Sequence, residues 1–315
     1  MTINNNIYRW IAIAVLAVFF LAISHPQAKA QLVPMASQYY ENEYLGNPAF
    51  AGMDKGIRVN LATRNQWKAL PGSPSTQSLS ADYNLENVNG GKVGTGLNIY
   101  SDKAGLIRRT RIMGSYAYHL PLSGNNQQLH FGLSLGVMHE RLDYGALVGD
   151  PTDISAERFN QRKSFLDGDF GMAYIQDRLT IQGALPNMKK LLKKDINTTV
   201  DGSSFYMAFS YKIGRELDLI CIEPKFAFRG ARDINNLWDI GTNIKFSNNA
   251  IYLMGMYHSS RSSTFGLGVN YQDKVLIQGY YTDQLAAQRL DTGGSFEINL
   301  QVPIVLRNRK RDPMP

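Results

Sequence analysis

The sequence predicts an all-β fold, a transmembrane antiparallel β-barrel of about fourteen strands preceded by a signal peptide. Three observations support this expectation. The chain begins with an apolar export signal, short segments of alternating apolar and polar residues recur along it, and no later segment is apolar enough to span a membrane as a helix.

Residues 1–30 form the predicted signal peptide. Arg9 precedes an apolar run over residues 11–23, and a small-residue cleavage site follows, ending at Ala30. The run is shorter than the about 20 residues of a spanning helix, so we expect cleavage after Ala30 rather than a retained anchor. The single cysteine, Cys221, is far from this site, which excludes lipid attachment there and an internal disulfide framework.

Three parts are expected in the exported chain. They are a periplasmic N-terminal segment or plug over residues 31–56, an outer-membrane β-barrel over residues 57–305 and a basic C-terminal tail over residues 306–315. Of the 33 basic residues two lie in the signal peptide, which leaves 31 against 26 acidic residues, and four of the 31 are in the tail. Because an exported chain rarely meets nucleic acid, we expect a solvated tail and no nucleic-acid partner.

The strand prediction rests on alternation with a period of two residues. In residues 129–137 large apolar side chains occupy every second position, with small or polar residues between them. Residues 205–212 and 296–302 show the same pattern. Strands are therefore predicted over residues 57–67, 75–84, 93–101, 107–119, 128–142, 164–175, 178–184, 203–213, 216–228, 236–246, 250–258, 264–272, 274–283 and 294–305.

The second face of these strands is rich in glycine and small residues. Gly266 and Gly268, for example, alternate with Leu267 and Val269. A soluble sandwich would carry Lys, Glu and Thr on a face exposed to water. Small residues instead suit the crowded interior of a barrel that must close, because an open edge would leave backbone groups unpaired in lipid. The pattern predicts a narrow, filled lumen.

The predicted connections differ in length between the two ends of the barrel. After even-numbered strands they include very short turns, such as 176–177 and 272–274. After odd-numbered strands they include the long segments 143–163, 185–202 and 284–293. Because outer-membrane barrels have short periplasmic turns and longer extracellular loops, the N-terminus is predicted to be periplasmic.

Two of the predicted periplasmic turns, 85–92 and 120–127, are longer than this rule favours.

Specific blocks of sequence lie before and within the first strands. They are Gln38-Tyr39-Tyr40, Asn47-Pro48-Ala49-Phe50-Ala51-Gly52, Arg64-Asn65-Gln66-Trp67, Pro71-Gly72-Ser73-Pro74, Gly94-Thr95-Gly96-Leu97, Asp102-Lys103-Ala104-Gly105, Tyr116-Ala117-Tyr118-His119-Leu120-Pro121-Leu122 and Phe131-Gly132-Leu133-Ser134-Leu135-Gly136. In order and spacing they resemble the PorP/SprF family of type IX secretion system membrane proteins, found in the Bacteroidetes. Beyond Gly136 the likeness is to a barrel pattern, with Leu185-Pro186-Asn187 as one further block.

The resemblance implies a non-enzymatic accessory of type IX secretion in the cell outer membrane. It implies partners among secreted adhesins or other type IX cargo, among periplasmic or outer-membrane components of the system, and in outer-membrane lipid. Export or surface anchoring of adhesins used in gliding motility would be the process served. One departure is the chain beyond Arg307, because many outer-membrane barrels, this family included, end close to an aromatic residue of the last strand.

The block containing Asn47, Pro48, Phe50 and Gly52 is the first candidate site. It precedes the first strand, and its proline and glycine suit a compact turn. The residues leave two readings open, a plug inside the lumen and a simple surface turn.

The block Arg64-Asn65-Gln66-Trp67 is the second candidate. Alternation places Arg64 and Gln66 on the lumen side, where we expect them to form a structural network, because buried charges in barrels usually pair with each other. Asn65 and Trp67 fall on the other side, near the outer interface. A functional lumen site is the alternative.

Four lysines form the third candidate: Lys189, Lys190, Lys193 and Lys194. They surround apolar residues spaced for one side of a short helix, which could lie on an anionic surface or cap the barrel. A solvated loop helix is the alternative. The long loop over residues 142–164 is a further candidate for recognition.

No residue pattern in the sequence indicates a catalytic site. Asp167 and Asp169 share one face of the sixth predicted strand, but no third acidic ligand is near, so pairing with Lys or Arg in the lumen is the expectation. We therefore expect no metal and no cofactor. The remaining candidate ligands are histidines on different strands without metal-ligand spacing: His119, His130, His139 and His258.

Two rival functions stay open. A passive or hydrophobic-solute transport barrel would show conductance or a ligand in an open lumen. An outer-membrane enzyme of the phospholipase kind would need a serine and a histidine directed outward, and no Gly-x-Ser-x-Gly motif occurs. The chain is predicted not to be an enzyme.

Overall fold

Fourteen antiparallel strands form one closed barrel in the computed structural model. The structure describes residues 37–67, 72–88, 91–123, 126–142, 164–188, 203–214, 219–231, 236–246, 249–284 and 293–304. Each strand pairs with its neighbours in sequence, and the first closes on the last. The strands are β1 (Ile57–Gln66), β2 (Ser75–Val88), β3 (Gly91–Ala104), β4 (Ile107–Ser123), β5 (Gln127–Leu142), β6 (Phe165–Gln176), β7 (Leu179–Leu185), β8 (Ser203–Tyr211), β9 (Ile220–Ala231), β10 (Leu237–Phe246), β11 (Ile251–His258), β12 (Ser262–Tyr271), β13 (Val275–Gln284) and β14 (Ser295–Ile304).

Every predicted strand is present, and the predicted antiparallel barrel is confirmed. The ninth strand, predicted over residues 216–228, begins four residues later and ends three residues later than predicted. β2 and β4 run on into the predicted turns 85–92 and 120–127. Each strand contains a register shift there, between Leu85 and Val88 in one and between Pro121 and Ser123 in the other. A bulge adds a residue to one strand and reverses the alternation beyond it, which is why the pattern ended too early.

The two faces of the wall meet different environments. Large apolar side chains are exposed on the outside, for example Leu135 (61%), Phe265 (64%) and Leu267 (57%). Polar residues such as Ser80 and Asn299 are buried on the inside. Soluble proteins rarely expose contiguous apolar surfaces of this extent, so the outer face fits lipid.

The two ends of the barrel carry different connections. We call one the turn end, because its connections are short: 89–90, 124–126, 177–178, 212–219, 247–250 and 272–274. The other is the loop end, and its connections include the longest: 67–74, 105–106, 143–164, 186–202, 232–236, 259–261 and 285–294. β1 begins and β14 ends at the turn end.

Trp67 is the last residue of the predicted first strand, but it lies outside β1. The strand ends at Gln66, and Trp67 adopts a φ of 50°, which is left-handed backbone rather than extended backbone. Its amide donates to the carbonyl oxygen of Gly294, which fixes the exit from β1 against the entry to β14. Among the described residues no helix is long and apolar enough to cross a membrane.

Two clusters of buried apolar residues lie inside the barrel in the part of the chain that the structure describes. The loop-end cluster contains Tyr39, Tyr40, Ala184, Tyr206, Ala208, Ala227, Met254, Met256 and Tyr280. The turn-end cluster contains Tyr44, Ala49, Phe50, Ala51, Ala117 and Ala173. Both combine wall residues with residues that precede β1, so the core of this barrel is built around the N-terminal part of the described chain.

Candidate functional site

Residues Ser37–Met53 run through the lumen, and we call them the luminal segment. The amide of Ser37 donates to Glu297 Oε2 at 2.9 Å, near the start of β14 at the loop end. The amide of Gly52 donates to Asp82 Oδ2 at 3.0 Å, and Asp82 faces Arg58 near the start of β1. The segment therefore crosses from the loop end towards the turn end before the wall begins.

Three short 3-10 helices shape the luminal segment: Ser37–Tyr40, Glu43–Leu45 and Pro48–Phe50.

Glycines in the wall make room for the backbone of this segment. A Cβ atom on Gly132 would lie 2.2 Å from the carbonyl carbon of Pro48, and one on Gly94 would lie 1.8 Å from the carbonyl oxygen of Ala51. Neither obstacle is a flexible side chain. At Gly132 and Gly94, the absence of a side chain on the inner face is therefore what lets the inner chain touch the wall.

Asn47 connects the third 3-10 helix to the wall. Its Oδ1 accepts from the amide of Ala49 at 3.0 Å, which caps the helix, and Pro48 fits the first helical position because it needs no amide donor. Its Nδ2 donates to the Met172 carbonyl oxygen at 3.1 Å and lies 3.3 Å from Gln182 Oε1. The side chain is fully buried, so these bonds have no competition from water.

The other residues of this block lie in the turn-end cluster or next to it. Phe50 is buried there, and the carbonyl oxygen of Ala51 is 3.0 Å from His119 Nε2. Gly52 has a φ of 64°, and a Cβ on it would lie 2.3 Å from the Tyr83 carbonyl oxygen. The block is therefore a buried turn of the luminal segment rather than a surface turn.

Ionisable side chains hold the luminal segment at the loop end. The hydroxyl of Tyr39 donates to Asp239 Oδ2 at 2.6 Å. Asp239 also forms a buried ion pair with Arg229, whose guanidinium lies 5.4 Å from the Tyr39 ring centroid. Charge-assisted bonds in a site closed to water are the stronger kind of hydrogen bond.

A second charged contact lies midway along the lumen. Lys225 Nζ donates to Glu43 Oε1 at 2.7 Å and to the Tyr40 carbonyl oxygen at 2.9 Å. The same ammonium group lies 4.7 Å from the Tyr40 ring centroid. Lys225 is buried, so the segment supplies the negative charge and the acceptors that a buried lysine requires.

The inward arginines of β4 are paired with acids on β5 and on β6, one strand further round the wall. Arg111 binds Asp169 at 2.5 Å and lies 3.8 Å from Asp167, which is the lumen pairing expected for these two carboxylates. Arg109 binds Glu140 at 2.6 Å. These contacts describe structural charge pairs and leave neither carboxylate of strand β6 free for acid–base chemistry.

Two histidines that sequence reasoning kept apart are in contact. His119 and His130 face each other on β4 and β5, with their Nδ1 atoms 2.7 Å apart. Because a carbonyl oxygen only accepts, His119 Nε2 must donate to Ala51, and His119 Nδ1 then accepts from His130. Their shared inward parity on neighbouring strands was the signal that could have found this pair.

Asp239, His258 and Thr264 form a chain like that of a hydrolase. His258 Nδ1 is 2.7 Å from Asp239 Oδ1, and His258 Nε2 is 2.7 Å from Thr264 Oγ1. Thr264 is fully buried, however, and its hydroxyl is also bonded to Thr282 at 2.7 Å. A nucleophile needs access to substrate, so this arrangement acts as a network that stabilises the wall.

The second candidate block stays apart from the first. Arg64 is buried on the inward face of β1, opposite Glu297 and Thr76, whereas Asn47 contacts β6 and β7. Gln66 ends the strand on the same face as Arg64, and its amide donates to the Pro74 carbonyl oxygen at 2.9 Å. Sequence reasoning placed these two side chains inward, and their positions in the register agree with that.

The four lysines Lys189, Lys190, Lys193 and Lys194 lie outside the described residues, as does most of the loop over residues 142–164. Within the described ranges no group of three or more His, Cys, Asp or Glu residues is placed to hold a metal ion.

Several solved barrels are similar in shape at very low sequence identity. Outer membrane protein Omp33 of Acinetobacter baumannii has a TM-score of 0.46 and 7% identity, covering 79% of this chain and 99% of its own. The toluene transporter TodX of Pseudomonas putida has a TM-score of 0.47 and 10% identity, covering 85% of this chain and 93% of its own. A triple mutant of Rhodopseudomonas blastica porin has a TM-score of 0.36 and 10% identity, covering 79% and 100%.

No curated protein matches the sequence. A family match, in contrast, extends over residues 28–302, which include the whole luminal segment and every strand through most of β14. The family is described as type IX secretion system membrane protein PorP/SprF. Because the match covers far more than half of the chain, this protein belongs to the PorP/SprF family of type IX secretion system membrane proteins.

Proposed function

We propose that this chain is a non-enzymatic outer-membrane accessory of the type IX secretion system that binds protein partners at the ends of its barrel. The partners would be secreted adhesins or other type IX cargo on one side and further components of the system on the other. Their binding would serve secretion or surface anchoring, including that of adhesins used in gliding motility. Family membership supports the assignment to type IX secretion. The occupied lumen supports binding at the barrel ends rather than transport through the barrel.

The luminal segment is the observation that carries this proposal. It contacts walls on opposite sides of the barrel, from Asp82 in β2 to Asp239 in β10. Its contacts are buried and include charge pairs, which a passing solute or a translocating chain would have to break. Cargo is therefore expected to bind outside the lumen rather than to pass through it.

The unequal lengths of the connections at the two ends of the barrel indicate its orientation in the membrane. We place the loop end at the cell surface, because long connections cluster there, and the signal peptide over residues 1–30 would direct export. In that orientation Ser37 lies in the outer half of the lumen. This orientation puts the start of the luminal segment nearer the cell surface than the periplasmic N-terminal segment expected from the sequence.

An epitope tag between residues 31 and 36, probed with antibody on intact cells, tests this orientation.

Affinity purification tests the function itself. The protein, tagged after residue 305, is extracted from outer membranes in a mild detergent, and co-purified proteins are identified by mass spectrometry. Recovery of large secreted adhesins or type IX components is the expected result. An unrelated outer-membrane barrel with the same tag, extracted in parallel, is the control.

A conductance measurement separates this proposal from a transport barrel. We expect the purified protein to remain closed in planar bilayers, because the luminal segment occupies the lumen and is bound to opposite sides of the wall. Purification of the barrel alone, together with stable single-channel conductance, would overturn the proposal in favour of passive or hydrophobic-solute transport.

A further inference from the structure

Three cations form a row across the outward face at the loop end. Lys103 in β3 lies opposite Arg108 in β4, and Arg108 lies opposite Arg141 in β5. Directly opposite residues in an antiparallel sheet have Cβ atoms about 4.5–5.5 Å apart. We call Lys103, Arg108 and Arg141 the cationic row.

Along the outer surface, the residues change from cationic at the loop end to polar and then to apolar towards the middle of the barrel. Two positions further into the wall, the facing residues are polar: Gln77, Ser101, Thr110 and His139. Two positions further again, they are apolar: Leu79, Ile99, Ile112, Val137 and Leu166. Each step of two residues is about 6.6–6.8 Å. The cations therefore lie just above the apolar band, at the depth where lipid headgroups meet the barrel.

Cations on the inner face of the same strands are paired with acids, unlike the arginines of the cationic row. Arg109, next to Arg108 but on the inner face, is bound to Glu140 at 2.6 Å. For Arg108 and Arg141, no acidic side chain of the described residues lies within ion-pair distance. Like charges directly opposite each other destabilise a sheet, so an external anion would relieve this arrangement.

We propose that the cationic row binds the phosphate groups of lipid A, the membrane anchor of lipopolysaccharide, in the leaflet at the loop end. Arginine suits this ligand, because its planar guanidinium donates two parallel hydrogen bonds to a phosphate. Neighbouring acyl chains would pack against the apolar positions below the row, so one lipid would satisfy both chemistries. The assignment rests on the proposed placement of the loop end at the cell surface, because lipid A lies in the outer leaflet.

A comparison of lipids on the wild-type protein tests this without any substitution. The full chain is reconstituted in phosphatidylcholine nanodiscs that carry bisphosphorylated, monophosphorylated or dephosphorylated lipid A, and retained lipid is counted by native mass spectrometry. Retention should fall as phosphates are removed, and it should fall at high salt, which screens exposed charges. Equal retention of the three lipids would overturn the proposal.

A pair of charge-neutralising substitutions locates the site. We expect Arg108→Gln/Arg141→Gln to weaken retention of bisphosphorylated lipid A about thirtyfold, given the contribution of each cation near an anionic lipid surface. The control is Arg178→Gln/Lys274→Gln, which removes the same charge from turns at the opposite end. It should retain lipid A like the wild type. Equal losses in both variants would show a general charge effect and contradict the assignment.

Inorganic phosphate, added as a competitor at millimolar concentration, separates headgroup binding from adsorption of a free anion. We expect lipid A to stay bound, and complete displacement by millimolar phosphate would show that the row prefers the free anion, which would overturn the assignment to a lipid.

Discussion

The two ends of the luminal segment are held by different kinds of contact. Near the turn end, the segment lies directly against wall backbone at Gly132 and Gly94, so its position depends on shape. Near the loop end, long side chains such as Tyr39 and Arg229 bridge the space to Asp239, so its position depends on charge-assisted bonds. A close backbone contact tolerates no added atom, whereas a side-chain bridge can be weakened in small steps. The turn end should therefore determine whether the segment lies inside, and the loop end how firmly it is held there.

Gly132→Val is expected to have the largest effect. The added side chain would occupy the space of the Pro48 backbone, which cannot move without leaving the lumen. Overpacking of this kind costs about 3 kcal/mol at the upper end of its usual range, so the free energy of unfolding should fall by about that amount. Thermal unfolding in detergent measures this loss, and single-channel recording should show new conductance.

The control for this substitution is Gly279→Val. A Cβ atom at Gly279 would meet nothing within 4 Å, so the barrel should keep its stability and stay closed. If both variants behaved alike, the close fit at Gly132 would not be what holds the segment.

Asn47→Ala is expected to have the next largest effect. It removes the helix cap and the bonds to β6 and β7, and leaves the Met172 carbonyl oxygen without this donor. Loss of a cap and of buried hydrogen bonds should lower the free energy of unfolding by about 2 kcal/mol. Asn65→Ala, on the outward face of β1, is the matched control and should be nearly neutral. A neutral result for Asn47→Ala would mean that the wall glycines alone position this turn.

Tyr39→Phe tests the loop end and should cost less. It deletes one hydrogen bond to a charged group while keeping the ring, for an expected loss of about 1.5 kcal/mol. A double-mutant cycle with Asp239→Asn should show coupling, because the two residues share that bond. Additive effects would contradict a direct contribution of the bond to stability.

Glu41→Gln is expected to have the smallest effect. Its Oε1 atom is buried without a hydrogen-bond partner among the described residues, and its Oε2 atom is 3.6 Å from Lys245 Nζ. A neutral amide costs less to bury than a poorly paired carboxylate, so stability should change by less than about 1 kcal/mol or rise. Glu43→Gln is the contrast, because it breaks the 2.7 Å pair with Lys225 and should clearly destabilise the barrel.

The wall could be predicted from the sequence, whereas the inner contacts could not. Alternation is a property of one strand, so it correctly placed Gly268 inward and Val269 outward. Which inner residues meet depends on barrel closure and on the register between strands, as His119 and His130 show. The path of the luminal segment is harder still, because short 3-10 helices leave no periodic pattern. Its traces in the sequence were the block over residues 47–52, for which a plug was one of two readings, and the glycine-rich inner face.

The position of the luminal segment also constrains how the barrel assembles. The segment leads directly into β1, and the seam between β1 and β14 joins the two ends of the wall. Once that seam is closed, a free N-terminal end would have to pass Gly132 and Gly94, where backbone already touches backbone. We therefore expect the seam to seal and the segment to be enclosed in one step, with the sheet curling around the inner chain.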